Sequence, residues 1–137
     1  MSRLRRWGVR AARVAGLLAL LLPTLALAAG SWVATAPTMR VAMVDRESVS
    51  RPLSPPGASA AGEITSVVWR YRLPPGAALR GRLCHPGGCV PLVSPRGNSQ
   101  GLAGLPANLP LRFHFALAPE HPQAVAVQGL QVIVNYQ

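Results

Sequence analysis

The sequence contains no lysine and few acidic residues. All 14 of its basic residues are arginines, against four acids: Asp45, Glu47, Glu63 and Glu120. Paired carboxylates on one strand, G-x-S-x-G and H-E-x-x-H are all missing, which removes common signatures of acid–base, serine and zinc-dependent catalysis. Glu120 and His121 are neighbours in a proline-flanked turn, and adjacent loop residues seldom form a catalytic pair. The sequence therefore predicts a protein that is not an enzyme and uses no cofactor.

Acidic residues are also missing from the first 44 positions, where the sequence predicts a signal peptide. Five arginines occupy positions 3, 5, 6, 10 and 13, and an apolar run follows from residue 14 to residue 29. The run ends in Ala26-Leu27-Ala28, which fits a small-x-small cleavage site. Because it holds 16 residues, short of the roughly 20 that span a bilayer, cleavage is favoured over a membrane anchor.

Cleavage would divide the chain into residues 1–28, a removed signal peptide, and residues 29–137, one exported domain. Of the 14 arginines, nine remain in this domain against four acids, a formal charge near +5. No second hydrophobic segment follows, so stable membrane insertion is not expected. Nucleic acid is disfavoured as a partner because the expected compartment lies outside the cytoplasm.

The two cysteines, Cys84 and Cys89, flank His85-Pro86-Gly87-Gly88. Proline followed by two glycines favours a turn, and an even, closely spaced pair in an exported protein favours a disulfide. A redox dithiol would more often show C-x-x-C at a helix N-terminus, and a metal site needs three or four ligands. A structural hairpin disulfide is preferred, with the redox and metal interpretations left open.

A sustained 3.6-residue apolar period is missing after residue 29, whereas short runs of β-branched and aromatic residues recur between proline and glycine. These runs predict strands near residues 31–36, 38–44, 64–73, 79–84, 89–93, 111–117, 124–127 and 130–136. Residues 50–61 are expected to be a loop or an edge excursion, and residues 95–110 a second loop with room for one helical turn. The expected fold is all-β: a small antiparallel β-sandwich or a barrel-like domain.

Three of these strands alternate apolar residues with arginine, which indicates one buried and one exposed face. If the strands pair in one sheet, the arginines share a basic face that could dock an acidic protein surface, anionic lipid or peptidoglycan. Alternatively, they only keep a β-surface solvated. The arginines are Arg70, Arg72, Arg80, Arg82 and Arg112. Trp69 and Tyr71 share the apolar side of their strand and are expected in the core, whereas Trp32 could be buried or exposed.

An ordered set of short segments is similar to the flagellar protein FlhE family. These are Gly30-Ser31-Trp32, Val67-Val68-Trp69-Arg70-Tyr71, Leu83-Cys84, Cys89-Val90, Pro110-Leu111-Arg112-Phe113 and Gln131-Val132-Ile133-Val134-Asn135-Tyr136. No single segment is specific, but together they cover nearly all of the expected domain. The proline-rich stretch 52–61 departs from the family pattern.

The resemblance implies a periplasmic accessory protein of the flagellar basal body. It further implies contact with flagellar export-gate or rod proteins, regulation of flagellar secretion, and limited proton leakage through the export channel. No catalytic residue is implied. An envelope carbohydrate- or peptidoglycan-binding module is the alternative, and it would require exposed aromatic rings such as Trp69 or Trp32.

Overall fold

The computed structural model describes residues 29–57 and 60–137, so the expected signal peptide lies outside the described residues. Nine strands follow one another along this part of the chain, and no helix occurs between them. Within the described ranges, nothing helical could therefore cross a membrane. The strands are β1 (Gly30–Ala36), β2 (Met39–Val41), β3 (Ser48–Val49), β4 (Ile64–Arg72), β5 (Leu79–His85), β6 (Gly88–Leu92), β7 (Arg96–Ser99), β8 (Arg112–Leu117) and β9 (Val125–Tyr136).

The strands form two antiparallel sheets packed face to face, so the fold is a β-sandwich. Sheet 1 has the order β1-β9-β4-β7, with β2 also paired to β9; sheet 2 has the order β3-β8-β5-β6. The expected all-β antiparallel class is confirmed, and the choice between sandwich and barrel is resolved. Strand β9 is the centre of sheet 1 because it pairs with β1 and β2 on one side and β4 on the other.

Alternating residues of β4 and β8 build the core between the sheets. Trp69 and Tyr71 of β4 are buried, as are Phe113 and Phe115 of β8. The Tyr71 ring meets both phenylalanines edge-on, with ring centroids 6.0 Å from Phe113 and 5.0 Å from Phe115. These contacts cross from sheet 1 to sheet 2 in a favourable aromatic geometry. The predicted core position of Trp69 and Tyr71 is confirmed, and Trp32 is also buried.

The two strands predicted near residues 124–127 and 130–136 form the single strand β9, which has a bulge at Gly129. Arg70 pairs with Gln131 and Arg72 with Gln128, so β9 has one more residue than β4 between these two pairs. Gly129 has a φ of 63°, a left-handed conformation that glycine adopts without steric cost. The extra residue moves the buried face from odd positions, such as Val127, to even positions, such as Val132. Clean alternation is therefore lost over the whole strand.

One segment expected to be a loop contributes a strand, and the segment expected to be a loop or an edge excursion contributes an isolated bridge. Residues 50–61 follow β3, and the buried Leu53 forms a bridge to Leu111. Residues 95–110 begin with β7, which pairs with β4 although it contains no β-branched or aromatic residue. Strand β7 forms because of contacts with residues distant in sequence, not because of local strand propensity. Trp69 Nε1–H donates to Ser94 O at 3.0 Å, and Tyr71 N–H donates to Pro95 O at 3.0 Å.

The predicted hairpin disulfide is confirmed. Cys84 and Cys89 face each other in the β5–β6 ladder and are bonded through their sulfur atoms. His85 is the last residue of β5, directly before the turn, and is buried. Gly87 N–H donates to His85 Nδ1 at 2.9 Å, which leaves the proton on Nε2, and Nε2–H donates to Pro106 O at 2.8 Å. The hairpin is thus closed by the disulfide and tied to the 95–110 segment by one side-chain hydrogen bond.

We expect the double variant Cys84→Ser, Cys89→Ser to lose about 2 kcal/mol of unfolding free energy and to keep its fold. The closed loop is short, so the disulfide removes little entropy from the unfolded chain. Urea unfolding followed by tryptophan fluorescence measures the loss. A collapse of the far-ultraviolet β-sheet signal in the variant without urea would contradict this expectation, because the core and sheets would then depend on the disulfide.

Candidate partner-binding surfaces

The five arginines expected on one face lie on two. Arg70 and Arg72 belong to β4 of sheet 1, whereas Arg80 and Arg82 belong to β5 and Arg112 to β8 of sheet 2. All five are exposed, as the alternation predicted. The expectation of one shared face was wrong because it required the three strands to pair in one sheet. In the structure β4 belongs to sheet 1, whereas β5 and β8 belong to sheet 2, and the outer surfaces of the two sheets point away from each other.

On sheet 2, Arg82 is paired with an acid. Its Nε donates to Glu47 Oε2 at 2.8 Å and its Nη2 donates to Glu47 Oε1 at 2.6 Å. This bidentate hydrogen bonding with Arg82 holds the pKa of Glu47 below its usual value and raises the pKa of Arg82. Arg82 Nη1 also lies 3.4 Å from Cys89 Sγ. Part of the basic surface of sheet 2 is therefore neutralised by the protein itself.

His114 completes this cluster on sheet 2. Its Nδ1 lies 3.8 Å from Glu47 Oε1, and its side chain is more buried than either partner of the Glu47–Arg82 pair. Burial lowers the pKa of His114 and outweighs the opposing effect of Glu47, while Arg82 and Arg112 lower the pKa further. His114 is therefore neutral near pH 7, and it adds no positive charge to this face.

On sheet 1, Arg70 and Arg72 are joined by a third arginine that sequence analysis did not select. Arg96 of β7 lies directly opposite Arg70 in the β4–β7 ladder. Its neighbour Gly97 allows the close approach, because a Cβ there would lie 2.5 Å from Trp69 Cζ2. In the sequence, Arg96 follows Pro95 in a segment interpreted as a loop. Nothing else in the sequence distinguished this arginine.

A groove runs beside these arginines on the outer surface of sheet 1. Val68 and Ile133 are cross-strand partners and form part of its lining, together with the amide side chains of Asn98 and Gln131. The groove has a volume of about 400 Å³, within the roughly 300–1,000 Å³ usual for ligand sites. This combination of aliphatic, amide and guanidinium groups is suited to an amphiphilic anion.

Among the described residues, neither the tryptophans nor the potential metal ligands form a second candidate site. Trp32 Nε1–H donates to Ala107 O at 2.9 Å inside the core, so neither Trp32 nor Trp69 offers a ring for stacking on a sugar. Over residues 29–57 and 60–137, no three side chains of His, Cys, Asp or Glu gather as metal ligands would. Each fully buried side-chain nitrogen and oxygen in these ranges has a hydrogen-bond partner.

The Glu47–Arg82 pair predicts a pH-dependent contribution to stability. Because the folded-state pKa of Glu47 is depressed, its contribution is present above the unfolded-state pKa, near 4.3, and is lost as pH falls through the folded-state pKa. We therefore expect Glu47→Gln to lower the urea midpoint slightly at about pH 7 and not at about pH 2. Glu120→Gln, which removes an exposed acid from a turn, is the matched control. Equal midpoint losses at both pH values would contradict the assignment.

The same variant predicts a change at His114. The Glu47 carboxylate favours the charged imidazole, while Arg82 and Arg112 disfavour it. Glu47→Gln should therefore move the pKa of His114 still lower, and Arg112→Gln should move it upward. Nuclear magnetic resonance titration of the imidazole measures both. A His114 pKa that does not respond to either substitution would show that burial alone determines it.

Comparison with known proteins gives a consistent result. The family model described as Flagellar protein FlhE matches residues 39–137. A Flagellar protein FlhE from Yersinia enterocolitica is 37% identical over 123 residues, covering 85% of this chain and 88% of that protein. One from Salmonella typhimurium is 42% identical over 80 residues, covering 56% of this chain and 62% of that protein.

A solved structure agrees with the sequence comparisons. A crystal structure of FlhE superposes with a TM-score of 0.69 at 36% sequence identity, covering 80% of this chain and 97% of the other. The fold is thus shared with a solved FlhE structure. The chain belongs to the flagellar protein FlhE family.

Proposed function

We propose that residues 29–137, exported to the periplasm after removal of residues 1–28, act as a non-enzymatic accessory of the flagellar basal body. The domain binds a protein of the flagellar export apparatus or rod. By this contact it regulates flagellar secretion and limits proton leakage through the export channel. Membership of the FlhE family supports the flagellar setting.

The observation that supports binding by contact is a surface of exposed arginines that mostly have no carboxylate partner among the described residues. Among the described residues, Arg82 is the one arginine that forms an ion pair with a carboxylate. The remaining exposed arginines on strands lie on the outer faces of the two sheets, where they attract acidic surfaces and repel basic ones. A basic domain whose Trp32 and Trp69 rings are buried fits an acidic protein partner better than a carbohydrate-binding module that stacks sugars on these rings.

The test is affinity capture with the oxidised protein on envelopes from flagellated cells, with a flagella-less strain as control. We expect export-gate or rod proteins to be recovered only from flagellated cells. Peptidoglycan fragments recovered equally from both strains would replace the proposal with the envelope carbohydrate-binding module.

The two arginine faces are tested separately by charge reversal. One variant carries Arg70→Glu and Arg72→Glu on sheet 1, and its matched control carries Arg80→Glu and Arg112→Glu on sheet 2, so each loses the same charge. Arg82 is left unchanged to preserve its pair with Glu47. We expect at least one variant to impair capture, motility and restriction of proton leakage. If both fold and neither changes any of these properties, contact through the arginines is refuted.

A further inference from the structure

Three arginines of sheet 1 surround a single cleft. Arg70, Arg72 and Arg96 line a space of about 80 Å³, together with Tyr71 and Gly129. None of the three forms an ion pair with a carboxylate of the described residues. Arg70 and Arg96 are direct cross-strand partners, and like charges at such positions destabilise a sheet. The fold therefore maintains a concentration of positive charge that an external anion would offset.

The backbone of β9 positions the third arginine. A Cβ at residue 129 would lie 2.6 Å from Arg72 Nη1 and 2.9 Å from Arg72 Cζ, so the guanidinium occupies the space beside Gly129. The bulge that places Gly129 there lies on β9, so β4 keeps its alternation from Val67 to Arg72, and Arg72 stays on the same face as Arg70. The guanidinium of Arg72 thus lies over the backbone of β9 at the bulge.

The cleft adjoins the aliphatic groove on the same face. Arg70 and Arg96 line both spaces, and the groove continues over Val68 and Ile133. Asn98 and Gln131 provide amide donors and acceptors beside this aliphatic surface. Strand β7, which carries Arg96 and Asn98, is the last strand of sheet 1. An extended chain can therefore reach the groove from the side of the sheet.

We propose that the cleft and groove bind an extended acidic segment of a protein. A carboxylate of the segment lies among Arg70, Arg72 and Arg96. It accepts charge-assisted hydrogen bonds from the guanidiniums, which are stronger than hydrogen bonds between neutral groups. An aliphatic side chain two residues away lies on the same side of an extended peptide and packs on Val68 and Ile133. This inference rests on the proposed function in one respect, which is that the flagellar partner is a protein.

The test uses the purified, oxidised protein and a fluorescein-labelled peptide with the sequence Glu-Glu-Leu-Glu-Glu-Leu. Fluorescence anisotropy measures its binding and the binding of two matched peptides, one with glutamine for glutamate and one with serine for leucine. We expect each replacement to weaken binding by about tenfold or more, because each removes one of the two kinds of contact. Equal binding of the serine peptide would show that the groove takes no part.

Protein variants then locate the site. Arg70→Gln with Arg96→Gln should weaken binding by about tenfold or more, whereas Arg80→Gln with Arg112→Gln removes the same charge from sheet 2 and should leave it within about twofold. Urea midpoints show whether the variants fold, and the first pair should unfold no earlier than the wild type because a repulsion is removed. Equal weakening by both pairs, or no binding by the wild type, would overturn the proposal.

Three further outcomes separate this inference from its alternatives. Tighter binding to vesicles containing anionic lipid than to the peptide, through the same arginines, would overturn the peptide assignment in favour of a membrane surface. Capture of flagellar proteins that survives Arg70→Gln with Arg96→Gln would refute this site and leave the proposed function standing. Peptide binding without any flagellar capture would refute the proposed function and leave the site.

Discussion

One hydrogen bond organises the outer surface of sheet 1. The indole N–H of Trp69 donates to Ser94 O as the chain leaves β6 in sheet 2 and enters β7 in sheet 1. The indole is otherwise buried, so this bond satisfies a donor that would be costly to leave unpaired. Gly97 then packs against the same ring, where a side chain would collide. Together with the hydrogen bond from Tyr71 N–H to Pro95 O, this arrangement places Arg96 opposite Arg70 at the basic cleft.

The buried faces of the strands could be predicted from sequence because side chains alternate with a period of two. Trp69 and Tyr71 were placed correctly in the core, since this period depends only on local backbone geometry. Which strands lie side by side depends on contacts between distant segments, and alternation contains no information about them. The arginines of β4, β5 and β8 show the same pattern and yet belong to two sheets. Their exposure was therefore predictable, and their grouping was not.

Arg96 was missed for a different physical reason. The four residues of β7, Arg-Gly-Asn-Ser, have low intrinsic preference for a strand. They pair with β4 because hydrogen bonds from Trp69 and Tyr71 fix the preceding residues, so tertiary structure overrides local propensity. The bulge at Gly129 likewise interrupts alternation within β9 and made one strand resemble two. Both β7 and the bulge at Gly129 border the cleft. The candidate site is therefore formed by the parts of the backbone that were hardest to predict from sequence.

The two outer faces differ in what they require of an acidic partner. On sheet 2, Glu47 already occupies the guanidinium of Arg82 with two hydrogen bonds and lies near His114. A partner carboxylate directed at Arg82 must displace Glu47 or accept its repulsion, so much of the favourable interaction is lost. On sheet 1, Arg70, Arg72 and Arg96 have no such carboxylate among the described residues. A partner carboxylate there relieves repulsion between guanidiniums as well as forming new hydrogen bonds. Electrostatics alone therefore favours sheet 1 as the face that binds an acidic protein.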